Sequence, residues 1–483
     1  MIAETVLNNW YNQTTLHPLG VFLLLLCAAA TILVPRRYAL VPTLVLVCFV
    51  GPVQRIVIAT LDFNFLRLMV LVGWTRVILR AEYAGWRWKR LDSVVLAWVI
   101  CSTVVATLLH SNFESFITRL GLLYDAVGLY FLVRILVHGF CDLRTFAQWA
   151  AIISLPVAIA FLIEHSTGRN MFASLGGVAE FTTIRDGRMR CRGPFLHPII
   201  AGSFWAALMP LMAALWWYRG WNRFLALLGV AGAMVVVITC SSATPLGGVI
   251  AGVIAATLFP LRRWMACLRW GTVLGLLVLQ LFMVNPIWHL LARVQLVSGS
   301  TGWYRYKLID EFFLNINEWW LIGTETYSSW WEYGFDAVTN EYIFQGVEGG
   351  LLTLCIFLGI IVTAFWGVGK ILHVENQRRS RLMQLWMPRA STRYRRKYRQ
   401  FRYSSGRLAM AWALGVSLLV HCSVFMGVSN FGQTIFVWYI TIACIGSLTP
   451  LAHKRRQVAK LSHKRLMKRY MASSQSEPII FGT

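Results

Sequence analysis

The strongest constraint on this chain is the recurrence of apolar runs of roughly 17 to 25 residues, the length a helix needs to cross a hydrocarbon core. They fall near 17–34, 39–59, 65–82, 93–110, 119–137, 145–164, 198–218, 223–241, 244–261, 269–285, 342–369, 408–427 and 432–451. A soluble domain has no interior large enough for so much apolar surface; 57% of the 483 residues are hydrophobic and only 13% charged. The expected fold is therefore an all-α polytopic membrane protein of about 13 transmembrane helices, with a range of about 12 to 14. The first run follows a polar segment with no basic start and no small-residue cleavage site, so it is expected to remain as the first span.

A net charge of +25 on such a chain raises the question of nucleic acid, but the distribution of the charge answers it. Residues 370–407 hold twelve Lys/Arg and residues 452–483 eight, each against one acid, out of forty-five basic residues in all. Both segments adjoin apolar runs, which points to a cytoplasmic position and to anionic lipid headgroups, with no nucleic-acid partner. The short loops with Arg36 and Arg37, Arg87, Lys89 and Arg90, Arg219 and Arg223, and Arg262, Arg263 and Arg269 fall on the same side. The N-terminus is then outside and the C-terminus inside. The ten cysteines lie mostly within apolar runs and lack metal-ligand spacing, so neither a disulfide framework nor a metal site is expected.

This sidedness divides the chain into N-terminal helices (1–164), an external loop (165–197), central helices (198–285), a large external loop (286–341), C-terminal helices (342–451) interrupted by the basic loop 370–407, and the tail 452–483. The first external loop breaks the charge pattern, carrying Arg169, Arg185, Arg188, Arg190 and Arg192 on the side that is otherwise poor in basic residues. Asp186-Gly187 within it is the dipeptide of a two-residue type I′ hairpin, so FTTIR and RMRCR are expected to pair. Arg188, Arg190 and Arg192 would then point to one face, where planar guanidiniums suit a phosphate-bearing ligand.

The second external loop is acidic and aromatic. It carries Asp310, Glu311, Glu318, Glu325, Glu332, Asp336 and Glu341, with Trp303, Trp319, Trp330 and Tyr304 among its rings. Rings beside carboxylates make a surface for sugars, and equally an aromatic belt at a membrane interface. A helix is expected over 303–313, with Arg305 and Ile309 on one face and Tyr306 and Asp310 on the next. Within or at the edges of the spans, Arg55, Arg67, Arg76, Arg119, Asp125 and Arg134 must face protein, water or the interface; Asp125 admits both a structural ion pair and a proton or ion relay.

The order of features, a basic external loop ending in RGPFLHPIIAG, a large external loop with WYRYKLID, and TNEYIFQGVEGGLLTL leading into the next span, resembles the O-antigen ligase and O-antigen polymerase family of bacterial envelope enzymes, most clearly over 185–360. The resemblance implies a metal-independent glycosyltransferase of the inner membrane that uses no cofactor. Its donor would be a glycan on undecaprenyl pyrophosphate and its acceptor a glycan or lipid-linked hydroxyl. Arg192 and Arg305 match the family's external arginines and would hold the pyrophosphate; His197 matches a His-Pro or Asn-Pro position that shapes the start of the next span. A histidine typically precedes the asparagine that Asn340 matches, and Thr339 stands there instead. The acceptor base is left among Glu341, Asp336 and Asp310, with Arg188, Arg190, Asn340, Trp303 and Tyr304 as further substrate contacts. This departure favours a polymerase or a divergent transferase over a ligase. A transporter coupled through Asp125, and a non-catalytic assembly partner, are the rival classes.

Overall fold

A computed structural model describes residues 13–58, 60–290, 302–331, 337–384 and 394–450, with side chains of 266, 382–384 and 394–403 outside the description. The protein is mostly helical, 76% of it, and residues up to Leu448 form one compact unit. The helices are α1 (Pro18–Leu33), α2 (Val41–Phe49), α3 (Phe65–Leu79), α4 (Arg90–His110), α5 (Phe113–Leu136), α6 (Phe140–Thr167), α7 (Pro198–Ala213), α8 (Trp221–Thr239), α9 (Ala243–Thr257), α10 (Met265–Phe282), α11 (Gly302–Leu314), α12 (Glu341–Gln384), α13 (Tyr394–Val424) and α14 (Thr434–Leu448). Two antiparallel ribbons complete the fold, β1 (Arg55–Ile58) with β2 (Leu61–Asn64), and β3 (Thr183–Arg185) with β4 (Arg188–Arg190).

Among the described residues, seven helices are long and apolar enough to cross a membrane; α1, α9, α14 and the apolar part of α10 are shorter. The run expected as a span at 39–59 is only partly helical. α2 has 9 residues and stops before Gly51-Pro52, after which the chain runs extended into β1. Proline cannot continue the helix, and nine residues rise only about 14 Å. The chain nevertheless returns to the level at which α1 starts, because Thr15 and Arg55 exchange backbone hydrogen bonds of 3.0 Å each.

One core runs through the bundle, with Trp205, Trp438, Tyr130 and Phe161 among its fully buried side chains. A second, smaller core ties the segment from α11 onward to the start of α12: Leu308, Ile309 and Phe312 pack with Trp319, Ile343 and Val347, and Phe312 stacks on Trp319 at 4.0 Å. The aromatics of this segment are thus divided, Trp319 serving as core while Trp303 is 57% exposed.

The membrane charges are paired. Arg67 grips Asp125 with two hydrogen bonds of 2.9 and 2.8 Å, Arg76 grips Glu82 at 3.0 and 2.8 Å, and Arg134 grips Asp92 at 2.7 and 2.8 Å. Arg55 reaches Asp62 at 2.9 Å, and Arg119 meets Glu348. An ion in a low-dielectric interior is tolerable when its partner comes with it, and bidentate contact gives the best geometry. For Asp125 this is the structural ion pair.

The basic loops also gather at one end of the bundle. Lys89 donates to the carbonyls of Gly446 and Ser447 at 2.7 Å each, Arg134 donates to Arg87 O at 3.1 Å, and Arg36 approaches Asp142 at 4.0 Å.

Candidate functional site

The arginine loop is built as its turn chemistry predicts. Asp186 and Gly187 take φ of +51° and +72°, the left-handed pair of a type I′ turn, and β3 pairs β4 in the register Thr183 to Arg190. The ribbon docks on the turn between α8 and α9: Cys191 N–H donates to Thr239 O at 3.1 Å and the Ser241 hydroxyl to Met189 O at 3.0 Å.

Beyond the ribbon the backbone is held by Glu164, a fully buried carboxylate near the end of α6. It accepts the N–H groups of Arg192 and Gly193 at 3.0 and 2.9 Å and the Thr182 hydroxyl at 3.0 Å. Asn170 donates to Gly193 O at 2.7 Å, and Gln433 to Pro194 O at 2.8 Å. Gly193 itself has φ +53°, and a Cβ there would lie 2.3 Å from the buried Phe161 ring. Gly193→Ala is therefore expected to lower stability by about 2 kcal/mol or more, through left-handed strain and overpacking together, read as a lower thermal midpoint in detergent.

Arg305 arrives at the same turn from the other side. Its Nη2 donates to Thr244 Oγ1 at 2.8 Å, one residue into α9, and its guanidinium lies over Gly427, where a Cβ would sit 3.2 Å from Cζ. The α13–α14 loop that contains Gly427 also receives the start of α12. Glu341 N–H donates to Phe425 O at 2.8 Å, and its carboxylate accepts Asn430 N–H at 2.6 Å and the Gln345 amide at 2.8 Å. Asn340 caps α12 through Tyr342 N–H at 2.9 Å and Ile343 N–H at 3.3 Å. The structure thus brings Arg190, Arg192, His197, Arg305, Asn340 and Glu341 around residues 239–244 and 425–433.

These arginines differ from those in the bundle. Among the described residues, Arg190, Arg192 and Arg305 make no ion pair, and the Nε atom of each is buried without a hydrogen-bond partner. Burial pulls all three guanidiniums below their ordinary pKa; nothing offsets this at Arg305, and only the nearby Glu164 does at Arg192. An unsatisfied buried donor costs about 1–3 kcal/mol, more when charged. Three such donors, on two loops that both reach the α8–α9 turn, suit an acceptor-rich anion.

His197 caps α7, its Nδ1 accepting Ile199 N–H at 3.2 Å. Its pKa is lowered to about 4, by burial first and then by Arg190, Arg192 and Arg185. The imidazole is therefore neutral at pH 7. Between pH 6.5 and about 4 the unfolded chain takes up a proton that the folded one refuses, so this group's contribution to stability falls as pH drops through that window.

The other expected site residues lie elsewhere. Arg188 pairs with Arg185 beside the turn tip and is exposed, because a hairpin end projects past the packing that covers Arg190 and Arg192. Asp310 accepts the Trp288 indole at 3.3 Å and lies roughly 140° around α11 from Arg305. Tyr304 donates to Ala337 O at 2.8 Å. Asp336 lies outside the described residues. Among the described residues, Thr339 has a buried hydroxyl with no partner, and the side-chain oxygens of Asn430 and Gln433 are in the same condition.

Two groups were not foreseeable from local sequence. Glu164 is one; the other is His110, at the end of α4, whose Nδ1 contacts Glu325 at 2.5 Å and whose Nε2 contacts Glu348 at 3.0 Å, with Arg119 on the same carboxylate. No cluster of three or more His, Cys, Asp or Glu side chains suited to a metal occurs among the described residues. No protein-family model matches the chain, and no curated protein matches it either.

Proposed function

We propose that the protein is a membrane glycosyltransferase of the O-antigen ligase and polymerase type, moving a glycan from a polyprenyl (undecaprenyl) pyrophosphate donor to a glycan or lipid-linked acceptor during surface-polysaccharide synthesis. The observation that carries this reading is the approach of the Arg190–Arg192 ribbon and of Arg305 to the α8–α9 turn, half-buried and without carboxylate partners among the described residues, in a protein where Arg55, Arg67, Arg76, Arg119 and Arg134 are each held by an acid.

In the reaction, the acceptor oxygen forms a bond to the anomeric carbon while the bond from that carbon to the pyrophosphate oxygen breaks. Positive charge builds on the sugar and negative charge on the departing polyprenyl pyrophosphate. Arg190, Arg192 and Arg305 hold that leaving group through bidentate contacts and stabilise its charge. The acceptor proton passes to a carboxylate. Glu341 is the one that the α13–α14 loop ties to the arginine site, and each of its oxygens keeps a second lone pair beyond the hydrogen bond it already accepts. Asn340, Thr339, Asn430 and Gln433 supply polar groups for sugar hydroxyls. In this reading the protein lies in the bacterial inner membrane, N-terminus outside, with about thirteen crossings once the shorter helices are included, and the arginine site faces the outer side. The gathering of the basic loops at the opposite end supports that orientation.

A transport reading has less support, since Asp125 is held by both arms of Arg67. The test in cells is complementation of a deletion strain at matched membrane expression. Wild type should restore the glycan. Arg192→Ala and Glu341→Gln should leave lipid-linked units unpolymerised or unattached, and the intermediate that accumulates tells polymerase from ligase. Full glycan from both variants would contradict the proposal. Pyrophosphate binding should also raise the pKa of His197 by masking Arg190 and Arg192, an upward shift visible in NMR titration of labelled histidine and absent in Arg192→Ala.

A further inference from the structure

At the opposite end of α9 from Thr244, a crevice of about 730 Å³ opens between α9, α10, α12 and α13, in the volume range of roughly 300–1,000 Å³ typical of small-ligand sites. Its walls are apolar: Phe365, Val368 and Leu372 from α12 face Trp412, Val416 and Leu419 from α13. Trp412 is fixed by donating its indole N–H to Ala255 O at 3.1 Å. One rim is basic, carrying Arg262, Arg263, Arg269 and Arg381, and among the described residues no Asp or Glu lines the crevice. The acid on this turn of α12, Glu375, is engaged by Arg407 at 2.6 Å.

Arg262 is the fixed member of this rim. Arg262 donates to Phe259 O at 3.0 Å and Asn376 Oδ1 at 3.3 Å, and packs over the Phe259 ring at 4.5 Å. Burial, Arg379 and Arg263 together lower its pKa, so like charges crowd here. The side of the crevice is open: α10 is exposed at every residue from Arg269 to Phe282, an apolar helix that stands off the bundle.

We infer that this crevice binds an anionic phospholipid of the bilayer, its phosphate among Arg262, Arg263, Arg269 and Arg381 and an acyl chain on the Phe365, Val368, Val416 and Leu419 wall. Charge complementarity selects the headgroup, since four guanidiniums with no lining acid repel one another until a phosphate sits between them. The apolar wall directly below selects a lipid over a soluble anion, because burying a chain there removes apolar surface from contact with the headgroup region. The proposal does not depend on the glycosyl-transfer reading and stands or falls separately.

The experiment is native mass spectrometry of the full chain in mild detergent, titrated with phosphatidylglycerol or phosphatidylcholine. Two variants bracket the claim. One is the triple Arg263→Gln/Arg269→Gln/Arg381→Gln, all exposed positions. The other is Gly369→Leu, where a Cβ meets nothing within 4 Å, so the larger side chain enters the crevice without disturbing the backbone. Wild type should retain phosphatidylglycerol at least about tenfold more tightly than phosphatidylcholine, and each variant should lose that preference or that binding while keeping a native elution profile. Equal retention of the two lipids would overturn the inference. So would full phosphatidylglycerol binding by Gly369→Leu, which would reduce the effect to surface attraction, and so would displacement by inorganic phosphate at matched concentration.

Discussion

Arg305→Ala is expected to reduce glycan transfer by about 10²- to 10³-fold, the usual cost of removing one preorganised donor from a site where charge develops. The guanidinium is half-buried against Thr244 and Gly427 with no acid beside it among the described residues, so its charge is available to a leaving group. Arg305→Lys should recover only part of the loss. An ammonium is a compact point charge without the planar fork, and it cannot hold Thr244 and a phosphate oxygen in the same geometry. Turnover of a lipid-linked donor by purified variants measures both. The folded state should be little affected by the change to alanine, because the wild-type donor is already poorly satisfied among the described residues.

Glu164→Leu should have the opposite profile, with a large loss of stability and a secondary loss of activity. Its carboxylate accepts two backbone N–H groups and a hydroxyl, all of which would be left unpaired in a buried position. At about 1–3 kcal/mol for each orphaned group the total is roughly 3 kcal/mol or more, a large share of ordinary stability. Glu164→Gln should fall between the two, since one amide oxygen still accepts while the NH₂ group opposes an N–H. Thermal unfolding in detergent, with activity assayed below the midpoint, separates the two effects. Residual activity per folded molecule should be reduced as well, because Arg192 loses the backbone anchor that places it.

The parts of this protein that were legible in the sequence are those set by neighbours along the chain. Asp186-Gly187 announced the type I′ turn, because only residues tolerant of positive φ can take it, and the helical pattern of GSTGWYRYKLIDEFF announced α11. The apolar runs marked the helices, although the run at 39–59 shows the limit: hydropathy did not register that Gly51-Pro52 would end α2 after nine residues. What stayed hidden depends on contacts between distant stretches. Arg67 and Asp125 are 58 residues apart, Arg134 and Asp92 are 42 apart, and nothing local announces that each charge has a partner. Glu164 reads as one acid at the close of an apolar run, since its partners lie 28 and 29 residues further on. The convergence of Arg192 and Arg305 on the α8–α9 turn is of the same kind. So is the separation of Arg188 from Arg190 and Arg192, which alternation along a strand would place on one face but which the hairpin tip carries into solvent.

The most direct test of the account is transfer by the purified protein in lipid nanodiscs, supplied with a polyprenyl-pyrophosphate-linked glycan and a matching acceptor and followed by the mobility of the product. Wild type should give elongated or attached glycan with release of polyprenyl pyrophosphate, with near-complete loss in Arg192→Ala and Arg305→Ala at unchanged folding. Donor left intact by folded wild type, or equal turnover by the arginine variants, would contradict the account.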